Sequence, residues 1–288
     1  MLDQIKLKVT GALCLISLIS ACSIVGSWAY DNLDNYLNDY FLSFATFSKN
    51  QEQEIESVTE NFKYWLTENK LIEIQSILDD IKALDNASTR SDITLIYDHS
   101  YDIFQSVSSY FNSEFITFSS SLNAKQIIEI ENHFFELQQK REAEREKEEA
   151  YQDRLLENYI SVFKRLGVKL RKEQRDLLVK SIENIQDNSQ EWNLLQQEWT
   201  KEMILILNKQ EGGAPQKNLD DHLNDLSKLG SQNFQDRVQK NQTLGIIAIT
   251  NIVSSMDENQ FKKINKTLSV FQKSILRIIK NQNQESPS

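Results

Sequence analysis

The 288-residue chain is poor in the residues that punctuate a fold, with seven Gly and two Pro. Sheet-rich folds need many tight turns, and tight turns draw on Gly and Pro. An all-β fold is excluded on that ground, and a doubly wound α/β fold is disfavoured. Cysteine is nearly missing, with only Cys14 and Cys22. Histidine is scarce as well. His99, His133 and His222 stand far apart, and none has a second His or Cys at metal-site spacing. Gly-x-Ser-x-Gly, His-Glu-x-x-His, a phosphate-cradling glycine loop and a dinucleotide fingerprint are all absent. Basic charge is in deficit, 32 Lys plus Arg against 42 Asp plus Glu. Phosphate backbones need a basic footprint, so a nucleic-acid surface is excluded. What is present, 40% apolar and 26% charged residues, suits a folded body rather than a disordered one. No cofactor, metal or catalytic residue is expected. The paired carboxylates Asp79-Asp80 and Asp220-Asp221 could serve acid–base chemistry. In an acidic helical protein they read first as solvated faces.

The N-terminus is richer in signal. Lys6 and Lys8 precede a ten-residue apolar stretch, Gly11–Ser20, and small residues follow. A basic region, an apolar core and small residues before a cut site make an export signal. Leu18-Ile19-Ser20-Ala21-Cys22 resembles the bacterial lipobox, in which an aliphatic residue and two small residues precede a Cys. The resemblance implies cleavage between Ala21 and Cys22, so that 1–21 is a signal peptide. It also implies a thioether from Cys22 to diacylglycerol, and an acyl chain such as palmitate on the new amine. The bilayer is then a partner through acylated Cys22. Each buried CH₂ contributes about 0.8 kcal/mol, and three chains exceed the two signals that stable anchoring takes. A spanning anchor over the uncharged run Val9–Tyr30 and an ordinary secretory signal are the alternatives. Ser23, not Asp, follows the Cys. By the enteric sorting rule this points to the periplasmic face of the outer membrane rather than the inner membrane. Cleavage removes Cys14, so the mature chain has no intramolecular disulfide.

Apolar residues at helical spacing run through the remainder and predict an all-α fold, an elongated multi-helix bundle with one long charged helix. The expected helices cover about 30–41, 48–84, 92–119, 123–166, 171–185, 192–206, 218–229, 232–254 and 257–280. The tail from 281 is expected to fray. Residues 22–288 read as a single periplasmic domain, with two possible lobes joined by the charged stretch near 138–150. Trp192, Leu195, Trp199, Met203 and Ile206 mark one seam and read as core. Glu211-Gly-Gly-Ala-Pro215 is the dense loop signal.

Four helix starts are alike: Ser48-Lys-Asn-Gln51, Asn123-Ala-Lys-Gln126, Arg171-Lys-Glu-Gln174 and Asp257-Glu-Asn-Gln260. Three are capping boxes, and Arg171 breaks the pattern. Successive intervals of 75, 48 and 86 exclude a fixed-period solenoid. Leu122-Asn-Ala-Lys-Gln126 and Leu170-Arg-Lys-Glu-Gln174 resemble the Leu-Thr-x-x-Gln starts of small periplasmic stress chaperones. A wider resemblance covers nearly the whole mature chain and is carried by Cys22, Tyr30, Leu33, Asp34, Tyr40, Gln126, Gln174 and Gln260. It is to a family of uncharacterised Gram-negative bacterial lipoproteins. That family carries paired Asp soon after the position of Tyr40, where this chain has Leu42-Ser43, and favours Trp at the position of Asn35. The resemblance implies an all-helical periplasmic body and no known activity. The expected function is that of a non-enzymatic binding or structural lipoprotein with an unidentified periplasmic protein partner. A chaperone-like holdase is the alternative, and a cell-wall hydrolase a third.

Overall fold

The computed structural model describes residues 30–146, 151–208, 215–224 and 229–285. Every regular element among them is a helix, so the chain is an all-α bundle. The first half holds α1 (Leu33–Leu42), α2 (Lys49–Asn69), α3 (Leu71–Ala83), α4 (Arg90–Ser119) and α5 (Ala124–Glu146). The second holds α6 (Tyr151–Arg165), α7 (Lys172–Ile182), α8 (Ser189–Asn208), α9 (Pro215–Asn224), α10 (Gln232–Ser254) and α11 (Glu258–Glu285). No helix among the described residues is long and apolar enough to cross a membrane. The expected signal segment with Ala21 and Cys22, the end of the charged stretch at 147–150, and the expected loop over 211–214 lie outside the described residues.

Local chemistry explains most boundaries. Ser48, Thr89 and Ser231 sit in extended conformation ahead of α2, α4 and α10, with hydroxyls placed to accept helical N–H groups. The expected helix over 48–84 is two helices, because Lys70 leaves helical geometry at φ −126°, ψ −23°. α6 ends at Gly167, whose φ of +81° suits only glycine, while Val168 N–H bonds back to Phe163 O at 2.9 Å. α11 continues through 281–285, where fraying was expected. That segment has no Gly or Pro, and extending a formed helix costs little.

The packing repeats itself. α1 lies on α2, and α6 lies on α7. α2 also touches α4, and α7 touches α10. α5 crosses to pack on α8, α11 crosses to pack on α3, and α4 meets α10. These contacts map onto one another when the halves are exchanged. α9, packed on α4 and α8, has no counterpart. Both large apolar clusters draw on both halves. One joins Ile77 and Ile103 to Leu178 and Leu268, and the other joins Ile130 to Trp199 and Leu219.

The four similar helix starts form the joints of this arrangement, two by two. Gln51 meets Gln126, and Gln174 meets Gln260, all four buried. Gln51 Nε2 donates to Gln126 Oε1 at 3.2 Å, and Gln126 Nε2 returns to Gln51 Oε1 at 2.7 Å. The second pair makes the same exchange at 3.0 and 2.9 Å. Each Nε2 spends its other proton on a carbonyl five residues before its partner: Ser121 and Thr46 in one pair, Ser255 and Lys169 in the other. Each Oε1 also accepts the N–H of its own cap residue, from Ser48, Asn123, Arg171 or Asp257. Two donors and two acceptors per amide are thereby used, which is what burial of a primary amide requires. Arg171 has no acceptor to cap with. Its guanidinium instead pairs with Asp257 and donates to Ser255 O at 2.9 Å, bracing the second joint from outside.

Candidate functional site: an aromatic cavity under the first helix

The crossed joint at Gln51 and Gln126 sets α2 and α5 diverging from one point, with α4 and α8 closing the sides. The space between them is a cavity of about 150 Å³. Its walls carry Phe111, Phe115 and Phe118 from α4, Phe134 and Ile130 from α5, and Trp199 and Met203 from α8. Tyr40, Phe41, Phe44 and Phe47 cover it from α1 and the segment after it. Glu114 and Arg141 are the charged lining residues. The space is partly open rather than sealed, so a ligand longer than the space itself can extend out of it.

The cover is pinned at both ends and lightly seated between them. At one end Lys63 Nζ bonds to Asp34 Oδ1 at 3.2 Å and to Asp31 O at 2.8 Å, while the Tyr30 hydroxyl meets Thr67. At the other, Thr46 N–H donates to Glu129 Oε2 at 2.6 Å. That backbone donor, helped by Lys125, holds the Glu129 carboxyl below its ordinary range. Between the pins α1 contributes no buried residue.

The floor is rigid. Trp199 stacks on His222 at 4.8 Å between ring centres, donates from Nε1 to His222 O at 3.3 Å, and its carbonyl lies 2.9 Å from His222 Nε2. Behind the cavity, Phe62, Trp65, Tyr110 and Phe111 form a continuous ring cluster. Burial there, with Glu114 close by, pushes the Tyr110 hydroxyl up to about 12. On the α5 side, His133 packs on Phe44 at 4.2 Å, and its Nε2 is shut from solvent without a hydrogen-bond partner.

The residues that carried the lipoprotein resemblance are spread over the clasp, the cavity and the two joints. Tyr30 and Asp34 make the clasp on α2, and Tyr40 reaches the cavity. Gln126, Gln174 and Gln260 make the joints. Cys22 and Ala21 lie outside the described residues. The paired carboxylates do not converge. Asp79 accepts from Gln272 at 2.6 Å, Asp80 faces His99 at 3.7 Å, and Asp220 accepts from Asn224 at 2.6 Å. No group of three or more His, Cys, Asp or Glu among the described residues is placed to hold a metal ion. Reading the sequence missed Phe44, Phe47, Phe118 and Phe134 as a group, since no local pattern links three separate segments. It also missed the joints. Their signal was the alternate spacing, 123 between Gln51 and Gln174 and 134 between Gln126 and Gln260, with an apolar residue four places before each Gln.

The fold and the cavity together define an all-helical bundle of two like halves, with an apolar site lined by α1, α2, α4 and α5 of the first and α8 of the second. No protein-family model, no curated protein and no solved structure matches the chain.

Proposed function

We propose that this chain is a lipid-anchored, non-enzymatic binding protein of the Gram-negative envelope. Acylated Cys22 moors it to the outer membrane on the periplasmic side, and the aromatic cavity holds an apolar ligand. The observation that carries the binding role is the cavity itself, about 150 Å³ with walls almost wholly of rings and aliphatic side chains. Small-molecule sites are concave and mostly apolar, with few polar groups. The anchor is supported by Leu18–Cys22 and the basic, apolar segment before it.

The holdase alternative rests on the Leu-x-x-x-Gln starts and on a possible concave helical surface. The four Gln amides have their hydrogen-bonding capacity occupied inside the bundle, so the first ground adds nothing to it.

Two measurements test the proposal. Purified full-length protein should enhance the fluorescence of N-phenyl-1-naphthylamine saturably, and absence of binding removes the ligand role. Wild-type protein should carry a metabolic fatty-acid label that a Cys22→Ser variant lacks, and equal labelling of both refutes the anchor.

A further inference from the structure

We propose that the occupant of the cavity is one hydrocarbon tail of a membrane phospholipid, entering beneath α1. This deepens the reading of the chain as a lipid-anchored binding protein and rests on it. The walls favour such a ligand. Phe44, Phe111, Phe115, Phe134, Ile55 and Met203 present ring faces and aliphatic groups.

The second half shows that the fold can close this space with its own side chains. There the equivalent helix, α6, buries Leu155, Tyr159, Val162 and Phe163. In the first half α1 buries nothing, and the space is about 150 Å³. The difference lies in the covering helix, the one element next to the tether.

Chain length selects the source of the tail. Cys22 lies eleven residues before Leu33, so a moored Cys22 keeps the start of α1 within about 37 Å of its anchor. Bilayer tails are concentrated at that distance, and a freely dissolved apolar molecule is not.

The test uses full-length protein carrying its own anchor, reconstituted into phosphatidylethanolamine vesicles. A trace of the lipid bears a diazirine at the end of one tail, and crosslinked peptides are mapped by mass spectrometry. Adducts are expected on Phe115, Phe134 and their neighbours. Excess lysophosphatidylethanolamine, which offers the same kind of tail to the same space, should reduce them several-fold in the wild type by competition for one site. Ile130→Trp, which places an indole in the space, should do the same while keeping the wild-type circular dichroism. If that variant does not fold, the wild-type competition decides alone. Adducts confined to exposed residues such as Tyr36, Ile128 and Phe135, and indifferent to competitor, overturn the inference. N-phenyl-1-naphthylamine binding without tail adducts in the cavity overturns the tail as occupant but leaves the binding role standing. An intact mass without acyl groups overturns the anchor, and with it the choice of a bilayer tail.

Discussion

Tyr159 on α6 is 3% exposed, and its hydroxyl lies where a side chain on Gly245 would have to go, 2.8 Å from the Cβ position. Its counterpart 123 residues earlier, Tyr36 on α1, is 70% exposed. Phe111 stands in the register of Gly245, 134 residues earlier. Two like sets of helices hung on two like glutamine joints therefore treat the space beneath them differently. In the second half a small residue on α10 lets the covering helix settle until its rings fill the core. In the first half Phe111 occupies that room and meets Phe41 at 5.4 Å, and α1 buries no residue. The joint sets where helices cross. The residues one and two turns away set whether the space under the crossing is filled.

The comparison can be broken most severely at the floor of the first half. Trp199→Ala should cost about 3–5 kcal/mol in urea unfolding, because it removes a buried ring together with its clasp on His222. A loss below about 1 kcal/mol would contradict a core role for that ring.

The joints come next. Gln126→Ala leaves the Gln51 amide, the Asn123 N–H and the Thr46 carbonyl short of partners, and should cost about 3 kcal/mol. Gln174→Ala strands the equivalent groups around Gln260 and should cost about the same. Unequal losses, measured by the same denaturation, would show that the Arg171–Asp257 brace carries part of the second joint.

Gly245→Ala sharpens the difference between the halves directly. The new methyl meets the Tyr159 hydroxyl, and the expected cost is about 1–3 kcal/mol with loss of Tyr159 burial, read by tyrosine fluorescence and thermal melting. Ala also gains about 1 kcal/mol of helix propensity at this interior position, so loss of Tyr159 burial, rather than net stability alone, decides whether α6 lifts.

The smallest effect is electrostatic. The Asp257 carboxyl is held below its usual range by the Gln260 N–H and by Arg171, and that of Glu129 by the Thr46 N–H and Lys125. A depressed carboxyl stabilises the fold at neutral pH and above the ordinary carboxylate range, and loses that effect as pH falls through its lowered value. Asp257→Asn and Glu129→Gln should therefore melt slightly below wild type at neutral pH and converge with it toward about pH 3. Both groups are exposed, so added salt should shrink the gap.

Much of this architecture was legible as a string of residues. Ile264, Leu268, Phe271 and Ile275 recur at helical spacing and are buried on one face of α11. Trp192, Trp199 and Met203 lie in the core as their spacing predicted. Ser48, Asn123 and Asp257 accept the N–H of the Gln three residues on. The joints were not legible, because each Gln had an adequate local role as a cap and its partner lies 75 or 86 residues away. The cavity was hidden for a related reason. Phe44, Phe115 and Phe134 are ordinary stripe residues on three separate segments, and only the angle at which those segments cross decides whether the rings meet or leave a gap.

Backbone hydrogen bonding and the 3.6-residue period act within a few turns, so helix content, most helix boundaries and the inward faces follow from residue order alone. The reciprocal glutamine pairs, the exchange of α5 and α11 between the halves, and the unfilled space beneath α1 depend on side chains far apart in the chain competing for one volume. Those choices were made by packing, which no local pattern encodes.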